Sequence, residues 1–135
     1  LAFPLSENPY VDYIIHGYHK HSRLDYLKGN WTPSPTSLTL HHMDMKSYVE
    51  GLPQGHHMIH ASDIMEATDG AFNDDFFKAI NAACTPGSIF LYWEHRYTIS
   101  VPQFFQNQWA LVSVAVNDRV PFYNNFYLWK KLSTD

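Results

Sequence analysis

Cysteine is nearly missing from this chain. Cys84 stands alone among 135 residues, so no disulfide can form within it, and a reducing setting, cytoplasmic or an organellar matrix, matches that usage. Charge is also scarce, at 16% of residues, and the nine Lys and Arg form no basic run, which removes the electrostatic footprint of a nucleic-acid binder. Apolar runs are short. Ile89–Trp93 is among the longest, well below the ~20 residues that a membrane-spanning helix needs. The opening LAFPLSENPY has neither the basic start nor the apolar run of a signal peptide. The glycines are scattered, and no glycine-rich loop, internal repeat or low-complexity tract is present.

What the chain does have is aromatic surface: nine Phe, nine Tyr and four Trp, with 45% apolar residues in all. A sequence so aromatic and so weakly charged folds rather than staying disordered. Its length suits a single domain, residues 1–135, which buries roughly two-thirds of its unfolded surface. Aromatic side chains also serve at contact surfaces, where they give large area at low entropy cost.

The chain alternates helix and strand. Asn8 is placed to cap a helix that has Pro9 at its first position, with Tyr10, Tyr13, Ile14 and Gly17 on one face. Lys20–Thr36 reads as loop. Ser37–Asp44 alternates as a strand, Met45–Leu52 gives one or two helical turns stopped by Pro53 and Gly55, and His57–Ala61 is a short buried strand. A helix follows over Asn73–Ala83, with Asn73 as its cap and Phe76, Phe77, Ile80 and Ala83 as its apolar stripe. Pro86-Gly87 breaks it, and Ser88–Glu94 is the next strand. Val101–Gln108 is helix or loop, Trp109–Val116 a strand, Asn117–Tyr123 a turn and Asn125–Lys131 a final strand, the last two strands pairing as an antiparallel hairpin. This order predicts an α/β fold: the carboxyl-side half of a Rossmann-like, class I methyltransferase sheet ending in an antiparallel hairpin.

In open α/β sheets, ligands bind outside the carboxyl ends of the strands. Ser62 and Asp63 follow one predicted strand and Glu94, His95 and Arg96 leave the next, so these are the candidate site residues. An acid, a titratable imidazole and a fixed cation together can supply a base and a carboxylate partner. The plainer alternatives are a helix cap for Ser62 and Asp63, with Glu66 completing a capping box from Asp63, and an exposed polar strand end for the other three. Tyr10 and Tyr13 suit a lipid or adenine pocket, or plain packing. The nine histidines suggest metal, but no HExxH motif or cysteine partner accompanies His56, His57 and His60, so no metal is expected. Cys84, at a helix end, reads as a packed thiol.

Four segments carry a family resemblance: NPYVDYIIHGYH (Asn8–His19), LTLHHMDMKSYVEGLP (Leu38–Pro53), HASDIMEA (His60–Ala67) and DRVPFYNNFYLWKK (Asp118–Lys131). In this order they resemble the transferases that move a 3-amino-3-carboxypropyl group from S-adenosylmethionine to diacylglycerol in betaine-lipid synthesis. The resemblance implies S-adenosylmethionine as cofactor, with Asp44 meeting the adenine amino group, for which the plainer alternative is a solvated turn Asp that starts the next helix, and Ser62 and Asp63 as further cofactor contacts. Asp63, Glu94 and His95 become the catalytic set, while Tyr10, Tyr13 and Arg96 contact substrate. It implies a lipid hydroxyl acceptor, membrane contact that is peripheral, and a glycine-rich cofactor loop upstream of Leu1, in a missing amino-terminal half or a partner chain. The alternatives are an S-adenosylmethionine-dependent methyltransferase and a non-catalytic structural subunit of a larger assembly.

Overall fold

The computed structural model describes residues 8–20, 39–112 and 124–133. The chain divides into two compact units, residues 1–41 with 117–122, and residues 42–116 with 123–135.

In the first unit, α1 spans Pro9–His16. Asn8 caps it as the sequence indicates, its Oδ1 accepting from the Val11 amide at 3.3 Å. Gly17 ends it in the left-handed region at φ 73°, a conformation glycine adopts without the Cβ penalty. Pro9, Val11 and Asp12 are its buried residues, whereas Tyr10, Tyr13 and Ile14 are exposed, so the face expected to pack is the outer one.

The second unit is a mixed four-stranded sheet with helices. Its strands are β1 (Met58–His60), β2 (Ile89–Glu94), β3 (Trp109–Leu111) and β4 (Asn125–Lys131), in the order β1-β2-β4-β3. β1 and β2 are parallel, with Met58 opposite Ile89. β4 runs antiparallel to both neighbours and inserts between β2 and β3, so the expected closing hairpin is present with its second strand inside the sheet. The α/β class is as expected. The strand expected over Ser37–Asp44 is not formed in its described part, Thr39–Asp44, where Leu40 is 86% exposed. Alternation favours a strand only where a neighbouring strand pairs with it, and among the described strands none pairs with Thr39–Asp44. The turn at 117–123, the end of the strand expected to reach Val116 and residues 21–36 of the expected loop lie outside the described residues.

Helices α2 (Met45–Glu50), α3 (Gly70–Ala83) and α4 (Gln103–Gln106) complete the unit, α2 packing on α3. The stripe Phe76, Phe77, Ile80 and Ala83 of α3 is buried with Ile59, Phe90, Tyr92, Trp109 and Trp129 of the strands, Val49 of α2 and Phe105 of α4. β2 buries alternate residues, Phe90, Tyr92 and Glu94, on that side. Lys131 donates from β4 to the Asn81 carbonyl near the carboxyl end of α3, a cation where the helix dipole is negative. Gly87 turns the chain into β2 at φ 87°, and a Cβ there would also meet His56 at 3.2 Å.

The cap of α3 corrects the sequence reading. Asp69, not Asn73, is the N-cap, accepting from the Phe72 amide at 2.8 Å. Asn73 lies inside the helix, where its amide donates to Met65 O at 2.9 Å and accepts from Thr68 Oγ1 at 2.9 Å, tying the preceding turn to the helix. Asp69→Ala is expected to destabilise the unit by about 1 kcal/mol in urea unfolding, the usual cost of a lost cap. Asp74→Ala serves as the control with less than half that effect.

Candidate functional site

The parallel pairing of β1 and β2 brings their carboxyl ends side by side. The chain stays paired past β1, since Ala61 N donates to Leu91 O and Trp93 N donates to Ser62 O, both at 2.9 Å. Ser62 and Asp63 therefore stand next to Trp93 and Glu94, as the two-strand reading requires.

At the first tip, Ser62 has φ 50°, the one non-glycine residue of positive φ in the described chain. This turns the chain sharply out of β1 and costs on the order of 1–2 kcal/mol for a residue with a Cβ. Ser62 and Asp63 are both exposed, and Ser62 Oγ donates to Asp63 Oδ1 at 3.2 Å. Asp63 precedes a single 3-10 turn, Ile64–Glu66, but its side chain makes no cap bond. The capping box from Asp63 to Glu66 is thus not built.

Glu66 reaches across instead. Its Oε1 accepts from three successive amides of the second tip: His95 at 2.6 Å, Arg96 at 2.8 Å and Tyr97 at 3.0 Å. Partial burial pushes this carboxyl up, but the three amides and the nearby His95 outweigh it and hold it below the usual glutamate value. A carboxyl lowered on folding stabilises the fold above its unfolded pKa, and that increment is lost as pH falls through the folded value. Sequence reasoning missed Glu66 as a site residue. Its place in SDIMEA marked it only as a local cap, because nothing in one sequence links position 66 to position 95.

Glu94 points the other way, into the core. It is 2% exposed. Oε1 accepts from the Ile99 amide at 2.7 Å, and Oε2 from Asn125 Nδ2 at 3.1 Å and Tyr127 Oη at 3.0 Å. His95 and Arg96 follow it at the surface, with the His95 carbonyl held by Asn124 Nδ2 at 2.6 Å. The tip thus presents Ser62, Asp63, His95 and Arg96 around a backbone latch, while the Glu94 carboxylate is engaged beneath.

The other expected residues are carried by other elements. Asp44 is the N-cap of α2, where Oδ1 accepts from Ser47 N at 2.9 Å and Oδ2 from Ser47 Oγ at 2.6 Å. Those bonds, the hydroxyl first, hold it below the usual aspartate value. Tyr10 and Tyr13 belong to the first unit, Tyr13 with its ring 5.1 Å from that of His19. The histidines around β1 diverge: His56 lies against Gly87, His57 Nε2 contacts Pro53 O at 2.9 Å, and the His60 ring meets Trp93 edge-on at 4.4 Å. Among the described residues no three His, Cys, Asp or Glu side chains converge as a metal site. Cys84 is fully buried, and burial pushes its thiol up despite the hydrogen bond with Ser88 and the nearby Lys131. No helix among the described residues is long and apolar enough to cross a membrane.

Comparison with family models, curated proteins and solved structures found no match to this chain.

Proposed function

We propose that this chain is part of an S-adenosylmethionine-dependent transferase that moves a 3-amino-3-carboxypropyl group to a lipid hydroxyl, the paired tips of β1 and β2 forming its reactive end. The observation that carries the reading is the sheet: two parallel strands whose carboxyl ends lead side by side into polar residues, closed by an antiparallel hairpin. That arrangement suits the carboxyl-side half of a Rossmann-like methyltransferase sheet, and the order of the four resembling segments points to the aminocarboxypropyl branch.

The tip chemistry fits part of such a cofactor. Asp63 offers an exposed carboxylate to a cationic group, and the Arg96 guanidinium offers a carboxylate partner. When bound, S-adenosylmethionine supplies a sulfonium flanked by three carbons open to in-line attack. An acceptor hydroxyl is a weak nucleophile and needs a base or a strong hydrogen-bond acceptor beside it. We assign that role to Asp63, with His95 as the neighbouring titratable group. Glu94 already receives three donors from within the fold, so its part is to brace the tip. In this reading Ser62 remains a cofactor contact, and the glycine-rich loop comes from a preceding segment or a partner chain. Contact with the membrane is peripheral.

The test is to incubate the protein with S-adenosylmethionine and diacylglycerol vesicles and analyse the nucleoside products. Methylthioadenosine is the expected product, abolished by Asp63→Asn. S-adenosylhomocysteine would assign the chain to methyl transfer. Absence of both, with no cofactor binding by calorimetry, would assign it to a non-catalytic subunit. One observation favours that last reading: β1 is an edge strand with Met58 75% exposed, and uncovered edges call for a neighbour.

A further inference from the structure

Three successive amides aimed at one oxygen are a receptor, whichever carboxylate fills it. Backbone N–H groups of consecutive residues in a turn form a concavity that binds anions through fixed partial charges. Here the amides of His95, Arg96 and Tyr97 meet at Glu66 Oε1 with separations of 2.6, 2.8 and 3.0 Å. The occupant comes from a different tip, 29 residues earlier in the chain for the first of these bonds. The receptor has support of its own on the far side. Asn124 donates through its side chain to His95 O at 2.6 Å and through its amide to Glu94 O at 2.8 Å. Glu94 in turn holds the Ile99 amide two residues past the nest, at 2.7 Å. The 95–99 segment is therefore fixed at both ends without Glu66, and the nest is shaped by the strand it leaves.

We propose that the backbone of residues 95–97 is a binding site for a small carboxylate, and that Glu66 is its resident ligand and the positioning residue that locks the Ser62–Asp63 tip to the His95–Arg96 tip. The site takes a carboxylate rather than a neutral acceptor, because one oxygen must accept three donors. Bonds from amides to an ionised oxygen are roughly twice as strong as neutral ones. Glu66 follows Asp63 by a single 3-10 turn, and Glu66 N donates to Asp63 O at 3.1 Å, so the position of one acid is transmitted to the other through one short backbone segment. Loss of the latch frees both tips at once. The inference deepens the reading of the tips as a reactive end, but its test needs no cofactor, so the two can fail separately.

The experiment is amide NMR of Glu66→Ala with rising formate or acetate, chloride serving as the control anion. In the variant, hydrogen exchange at 95–97 is expected to rise about tenfold or more, the scale of losing bonds to a charged acceptor. Formate should restore the resonances toward their parental positions in a saturable manner, while chloride and the parental protein give no such response. Resonances of 95–97 that do not move in Glu66→Ala, or that move and show no formate response, would overturn the proposal. Glu66→Gln is the second variant should the first not fold. It keeps the shape and a neutral acceptor, so faster exchange confined to 95–97 and the Ser62–Asp63 tip supports the proposal. Parental exchange rates there refute it.

Discussion

Phe105→Ala should lower the unfolding free energy by about 3–5 kcal/mol, the range for removing a buried phenylalanine. Phe105 is fully buried and is the one buried residue of α4, a four-residue helix that has no side-chain cap and is too short to hold itself. Its ring stacks on Trp109 at 4.7 Å and 7°, and meets Phe77 at 4.8 Å, Trp129 at 5.8 Å and Phe90 at 5.9 Å edge-on. These neighbours come from α3 and from β2, β3 and β4, so a void left at Phe105 is walled by rigid rings on several elements and cannot collapse cheaply. Aromatic pairs add about 0.5–1.5 kcal/mol each beyond the area they bury. Against a total stability of about 5–15 kcal/mol, the variant should sit close to its unfolding threshold. Urea unfolding followed by tryptophan fluorescence measures it. Phe104→Ala, at a partly buried neighbour, should cost less than half as much, and equal losses would show that α4 is not pinned through Phe105.

Glu94→Ala should cost about 2–5 kcal/mol, because it strands donors rather than opening an apolar void. The Ile99 amide is buried and Tyr127 Oη half-buried, and both lose their acceptor, whereas exposed Asn125 can turn to water. Each unsatisfied buried donor costs roughly 1–3 kcal/mol. The effect should shrink when the partner is removed as well: in a cycle of Glu94→Ala with Tyr127→Phe, the double variant is expected to be more stable than the sum of the single losses by about 1 kcal/mol, a coupling typical of groups in one network. Additive losses would show that Tyr127 finds another partner. Glu94→Ala should also loosen the 95–97 nest, visible as faster amide exchange there, because Ile99 anchors the far end of that loop.

Much of the fold was legible in the sequence because local chemistry and the final environment agree. Pro9 after Asn8, the stripe Phe76–Phe77–Ile80–Ala83, the Pro86-Gly87 break and the run Ile89–Glu94 each form what their pattern indicates. Disagreements arise where the same local pattern permits two outcomes. Asp69 and Asn73 are both good caps one turn apart, and Asn73 is drawn inward by the Met65 carbonyl and the Thr68 hydroxyl. The alternating segment before Asp44 carries strand chemistry, yet no strand forms over Thr39–Asp44.

The candidate site divides the same way. The sequence by itself determined which residues end the two parallel strands, Ser62 with Asp63 and Glu94 with His95 and Arg96, because periodicity and turn residues act over short spans. Only the tertiary structure decided that the strands lie parallel and adjacent, that Glu94 turns into the core, and that Glu66 abandons a local cap to ligate amides 95–97. The reason is physical: a side chain's nearest partner across a sheet is set by register and chain direction, and a carboxylate takes the site offering the most amides, however far away in sequence those amides lie.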